Sequence, residues 1–237
     1  MVKIINRRNS IVYLVNKNYV IKKYNYKFSI HEEIQQYNKL TELVSNHSIF
    51  NIPRIYYSNE KYNFFRFEYI DGSRLDKIFN NSKIIILEKL KEEFLRFFAR
   101  SADKGYQFDL DPSNLIMKNI GYIYIIDPIC EKIDIEHHSI IVFTFGLIKL
   151  YLKNIYKINP VKFFRIWNSY YDGYIQYRNL KASELNNEME IYIDKVIYWN
   201  TFENFNSSIF NGIIRKLIYV PIYIIIKYIF KYNLLGL

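Results

Sequence analysis

The chain has 237 residues, enough for one or two compact domains with a real hydrophobic core. Half of the residues are hydrophobic and 24% are charged, a balance that excludes a disordered chain. A formal net charge of +10 favours anionic partners, but no nucleic-acid-reading motif is present, so nucleic acid is not the expected partner.

Residues 1–28 read as strands, with Val12, Leu14, Val20 and Ile21 in β-rich stretches broken by the turn formers Asn16-Lys17-Asn18. Ser29-Ile30-His31-Glu32 is a capping-box pattern that opens a helix. On that helix Ile30, Ile34, Tyr37, Thr41 and Val44 form one face, flanked by Glu33 and Leu40. Pro53 returns the chain to extended form, and residues 54–57 and 63–70 are further strands. The second ends at Asp71-Gly72, a turn signal that places a lobe boundary there.

From Lys83 to Lys104 the spacing of Ile86, Leu90, Phe94 and Phe97 predicts a helix, closed by Gly105. A polar loop, a strand at 115–117, a turn at 118–121 and a strand at 122–126 follow. From about 136 onward the chain reads as helices with Pro160 as a break. The order gives an α+β plan in two lobes, residues 1–70 and 71–237.

The chemistry concentrates in Asp109-Leu-Asp-Pro-Ser-Asn114 and in Ile125-Ile-Asp127. Asp109 and Asn114 share a loop stiffened by Pro112, and a hairpin between 114 and 127 would bring Asp127 beside them. Phosphoryl transfer uses such a set: one carboxylate takes the acceptor's proton, while an amide oxygen and a second carboxylate hold Mg²⁺ against phosphate oxygens.

Asp-Leu-Asp-Pro-Ser-Asn resembles the catalytic loop of the kinase-like superfamily, D-L-x-P-x-N, and Ile-Ile-Asp resembles its metal-binding aspartate. Upstream, Tyr19-Val-Ile-Lys22 resembles the strand that bears the ATP-phosphate lysine, with Glu33 as the helix partner of Lys22. Phe67-Glu-Tyr-Ile-Asp-Gly72 resembles the hinge, where backbone groups of Glu68 and Tyr69 would meet adenine. The resemblance covers roughly residues 5–150 and implies a bilobal protein-kinase-like fold using ATP and Mg²⁺, with Asp109 catalytic and Asn114 and Asp127 on the metal. No long activation segment or A-P-E follows Asp127, so the chain looks more like the aminoglycoside phosphotransferase and lipopolysaccharide sugar-kinase branches, whose acceptors are small-molecule or glycolipid hydroxyls.

Two departures keep a non-catalytic pseudokinase open. Gln107 stands where most members have His, and its amide could replace that scaffold. Asn6-Arg7-Arg8-Asn9-Ser10 replaces a Gly-rich loop, with Arg7 or Arg8 as phosphate contacts. Asp111 falls where protein kinases carry Lys, and reads as a solvated loop acid, a substrate-amine contact or a ligand of a second metal. Glu184, Glu188, Glu190 and Asp194 could line the acceptor site of a soluble-substrate kinase. His137-His138 reads as structural, since adjacent helical residues diverge.

The single cysteine, Cys130, permits no intrachain disulfide, and the N-terminal residues lack a secretory pattern, so a cytoplasmic setting is expected. The stretch Ile213–Leu237 holds four cationic residues and no acid, and its longest uncharged run, Leu217–Ile226, is too short to span a bilayer. It reads either as a peripheral contact with an anionic inner leaflet or as a last core helix. The preferred acceptor is a sugar in a cell-envelope glycolipid or polysaccharide precursor.

Overall fold

The structure, a computed structural model, describes residues 2–6, 10–25, 30–45, 49–78, 84–119, 121–128, 133–154 and 157–198. Ser29 of the capping pattern, Arg7, Arg8, Cys130 and the basic tail 213–237 lie outside them.

The N-terminal half builds a five-stranded antiparallel sheet from β1 (Val2–Asn6), β2 (Ser10–Val15), β3 (Tyr19–Tyr24), β5 (Ile55–Asn59) and β6 (Phe64–Glu68), in the order β1-β2-β3-β6-β5. The β2–β3 turn is tight because Asn16 and Lys17 both adopt positive φ, at 50° and 57°, which matches the twist of a two-stranded ribbon. Alternation along β3 exposes Lys23 and buries Lys22, and register sets Lys22 opposite Val12 on one side and Phe65 on the other.

Helix α1 (Ile30–Val44) packs on this sheet through Ile30 and Tyr37, with Glu33 reaching Lys22, whereas Leu40 and Leu43 are buried in the larger core of the C-terminal half. The hydrophobic spacing had placed Thr41 on the inner face and Glu33 beside it; instead Thr41 is exposed and Glu33 is fully buried. The face is rotated because Glu33 has a cation to meet inside, a partner that apolar periodicity does not register. Thr41 instead turns its hydroxyl back onto the carbonyl of Tyr37, 2.7 Å away.

A second sheet was only half expected. The hairpin of β8 (Leu115–Asn119) and β9 (Tyr122–Ile125) is joined by two-residue strands β4 (Phe50–Asn51) and β7 (Ser73–Arg74), in the order β4-β9-β8-β7. Because β4 runs parallel to β9, chain from before the expected lobe boundary is stitched to the hairpin that leads to Asp127. Gly72 sits where the chain passes this sheet; a Cβ there would lie 2.6 Å from the carbonyl oxygen of Met117.

The C-terminal half is helical: α2 (Ile84–Asp103), α3 (His138–Lys153), α4 (Pro160–Arg178) and α5 (Ala182–Tyr198). Gly105 ends α2 in the left-handed conformation, with the amide of Tyr106 closing back on Ser101 at 2.9 Å. Pro160 starts α4 rather than merely interrupting helix, because Asn159 caps it by accepting from the amide of Lys162 at 3.2 Å. Helix α3 is buried along most of its length, and Phe143 packs against Phe94 of α2 and Tyr170 of α4 with centroids 4.8 and 5.2 Å apart. This is an α+β arrangement: a sheet-rich N-terminal part with one helix, then a helical part.

Candidate active site

A cleft of about 260 Å³ opens between the first sheet and the hairpin of the second. Val12, Leu14 and Val20 line one wall, Ile116 and Ile126 the other, and Glu68, Tyr69 and Ile70 the connecting edge. One end of this apolar slot is polar, where Lys22, Asn114 and Asp127 meet. Such a shape suits a flat apolar ring with a charged tail.

Lys22 is the hinge of the polar end. Its Nζ donates to Glu33 Oε1 at 3.2 Å and to Asp127 Oδ1 at 2.9 Å. Burial alone would depress the lysine, but the carboxylates of Asp127 and Glu33 outweigh it and hold its pKa above the ordinary value. Burial pushes Glu33 up to about 7, partly countered by Lys22. Its other oxygen, Oε2, has no hydrogen-bond partner among the described residues. Asp127 stays 46% exposed, open toward the cleft. From α1, Tyr37 donates its hydroxyl to the carbonyl of Ile126 at 3.0 Å.

The loop expected to be catalytic is held from several directions. The amide of Asp109 donates to the carbonyl of Pro128 at 3.2 Å, and the amide of Ile126 to the carbonyl of Asn114 at 3.0 Å. Asn114 uses its side-chain nitrogen on the carbonyl of Asp109 at 3.2 Å, which leaves the amide oxygen for the cleft. Burial, together with the nearby charge of Asp111, raises Asp109 to about 7. Asp109 itself does not line the cleft; it lies five residues before Asn114 on the same loop.

Gln107 does the scaffolding that its position requires. Its amide nitrogen donates to the carbonyls of Ile133 and Ile135 at 2.5 and 3.0 Å, and its oxygen accepts the amide of Ile133 at 3.1 Å. Three backbone groups downstream of Asp127 are thus tied to the loop by one neutral side chain.

A model of the ABC1 atypical kinase-like domain matches residues 15–159, more than half of the chain. The chain belongs to the ABC1 atypical kinase-like domain family. The match runs from the end of β2 through the Asp109–Asn114 loop and the hairpin to just past α3. A comparison with curated proteins finds no match. Solved structures that this ABC1 chain is similar to include APH(2")-IIa in a ternary complex with streptomycin and ATP, at 13% identity and TM-score 0.44, covering 92% of this chain and 90% of that one. Another is the PknI kinase domain of Mycobacterium tuberculosis, at 12% identity and TM-score 0.40, covering 63% and 71%.

The ABC1 chain therefore brings Lys22, Glu33, Asp127 and Asn114 together, with Asp109 adjoining. Glu68 and Tyr69 both line the cleft, and the amide of Glu68 donates to the carbonyl of Arg54 at 2.8 Å. Two of the acids proposed for a soluble acceptor are engaged as caps. Glu188 accepts the amides of Glu136 and His137 at 3.0 and 2.8 Å, and Glu184 that of Lys181 at 3.0 Å. Asp111 is not a solvated acid; Lys149 of α3 donates to it at 2.5 Å and, despite burial, holds its pKa below the ordinary value. Tyr37, which lines the cleft, was missed as a site residue; a tyrosine one turn after Glu33 was the available signal.

The residues fit Mg²⁺ as nucleotide kinases hold it. Among the described residues no group of three or more His, Cys, Asp and Glu gathers at one point, so an all-protein cage is not formed. One carboxylate and one amide oxygen facing a cleft suit an ion that takes its remaining ligands from phosphates and water.

Proposed function

We propose that this chain is an ATP- and Mg²⁺-dependent phosphotransferase acting on a hydroxyl, preferably of a sugar in a cell-envelope glycolipid or polysaccharide precursor. One observation carries the reading. Lys22, buried beneath the sheet, joins Glu33 at 3.2 Å to Asp127 at 2.9 Å at the polar end of an apolar slot.

In this reading adenine lies between Val12, Val20, Ile116 and Ile126, against the carbonyl of Glu68 and the backbone of Tyr69. Lys22, tethered by Glu33, grips the first two phosphates. Asn114 and Asp127 hold the metal, which neutralises phosphate charge during transfer. Asp109 orients the acceptor hydroxyl and takes its proton, and a carboxyl raised to about 7 is suited to that task near neutrality.

The glycolipid preference is supported by the net charge of +10 and by the acid-free basic stretch Ile213–Leu237. Among the described residues no helix is long and apolar enough to cross a membrane. The soluble-acceptor alternative loses support because Glu184 and Glu188 already serve as caps.

The test is transfer of label from γ-labelled ATP to a panel of envelope lipid extracts and soluble amino sugars. Label in a glycolipid that vanishes with Asp109→Ala supports the reading. ATP·Mg binding without transfer to any acceptor would leave a pseudokinase scaffold instead.

A further inference from the structure

The cleft is lined by a second cation besides Lys22, and the roles above leave it unused. Arg74 ends β7, which pairs antiparallel with β8 so that Arg74 stands opposite Ile116. Residues directly opposite in such a pair send their side chains to the same face, with Cα atoms about 5 Å apart. Ile116 and Arg74 both line the cleft, so that face is the cleft wall.

Asp76 sets the direction in which Arg74 reaches. Its Oδ1 accepts from Nε at 2.9 Å and its Oδ2 from Nη2 at 2.7 Å, a two-point fork. Past β7 the chain keeps running antiparallel to β8, because the amide of Leu75 donates to the carbonyl of Leu115 at 2.8 Å. The guanidinium therefore leans along the wall from Ile116 toward Asn114, from the apolar part of the slot toward its polar end. Among the described residues it has no other partner, which leaves Nη1 free. Asp76 does not line the cleft and is the more buried of the two, 13% exposed against 29%. The acid is the anchor and the cation is the member that meets a ligand.

We propose that Arg74 is a specificity-determining residue that donates from Nη1 to a ribose hydroxyl of the bound nucleotide. The inference rests on the phosphotransferase reading, in which the base lies against Ile116 and the phosphates lie at Lys22 and Asn114. The sugar that joins them then passes Arg74. Paired with Asp76, the guanidinium adds no net charge, so it suits an uncharged hydroxyl, while Lys22 and the metal meet the phosphates. Held at two points, it is also a fixed donor, which costs little ordering when a ligand arrives.

The test is calorimetric titration of wild type and Arg74→Met with ATP·Mg, 2′-deoxy-ATP·Mg and 3′-deoxy-ATP·Mg. Wild type should bind one deoxy analogue at least about tenfold more weakly than ATP, the scale of a hydrogen bond to a charged group. Arg74→Met should bind ATP about as weakly as wild type binds that analogue, and should no longer tell the two apart. Because this variant leaves the Asp76 carboxylate unpaired, Arg74→Met/Asp76→Asn is titrated beside it and should show the same loss of discrimination. An arginine with a purely structural role would weaken all three nucleotides alike and leave the discrimination intact. That result, or wild type that binds all three equally, would overturn the proposal. Wild type that binds none of them would sink the phosphotransferase reading itself, and this inference with it.

Discussion

Tyr37 donates its hydroxyl to the carbonyl of Ile126 at 3.0 Å, which hydrogen-bonds helix α1 to the residue before Asp127. The same helix carries Glu33, one turn earlier, to Lys22. Movement of α1 is thereby coupled to both the lysine and the acid it bridges. The phenol is fully buried, and burial raises its pKa well above the ordinary value, so it acts only as a neutral donor.

Tyr37→Phe should leave the fold intact and the carbonyl of Ile126 without its donor. The cost is that of one buried unsatisfied group, roughly 1–3 kcal/mol. A urea melt reads the stability loss, and a weaker thermal shift with ATP·Mg reads the looser Asp127. An unchanged nucleotide response would disconnect Tyr37 from the site.

Lys22→Met removes the cation from a carboxylate that is 0% exposed. Breaking such a buried pair costs roughly 3–5 kcal/mol, because Glu33 is left to protonate or stay desolvated. The double variant Lys22→Met/Glu33→Gln should recover much of that stability and none of the ATP binding. A double-variant cycle by chemical denaturation, with nucleotide titration, separates the two effects.

Gln107→Ala should strip partners from the carbonyls of Ile133 and Ile135 and from the amide of Ile133. Even with partial hydration, a loss of about 2–4 kcal/mol follows from unsatisfied backbone groups. Gln107→His restores a donor at the position and should fall between Ala and wild type in denaturation midpoint.

His138 gives the chain an acid-side weakness. Burial lowers its pKa to about 4, against a hydrogen bond with the backbone of Phe108 that acts the other way. The folded state resists protonation that the unfolded state accepts near 6.5. Stability from this group is therefore complete above about 6.5 and is lost as pH falls toward 4, by on the order of 3 kcal/mol. His138→Gln should flatten that part of the stability-against-pH curve relative to wild type, measured by denaturant midpoints across the range.

The loop of Asp109 and Asn114 and the hairpin after it were legible because their partners are near in sequence: Asp109 and Asn114 share one loop, and Asp127 lies just past the strand that returns to it. Contacts across long separations were not. Lys22 and Asp127 are 105 positions apart and Asp111 and Lys149 are 38, and no local pattern records either pairing. Lys22 and Glu33 could be suggested only by resemblance, and the inward turn of Glu33 ran against the apolar spacing of α1. Strands β4 and β7 are two residues long, too short to show any alternation.

The most direct measurement is calorimetric titration of ATP with and without Mg²⁺ on wild type, Asp127→Asn and Asn114→Ala. The account predicts that wild type binds ATP more tightly with Mg²⁺. Each variant should lose at least about tenfold of that magnesium-dependent gain, the usual scale for disturbing a metal site. Wild type that binds ATP equally with and without the metal, or variants that keep the full gain, would contradict it.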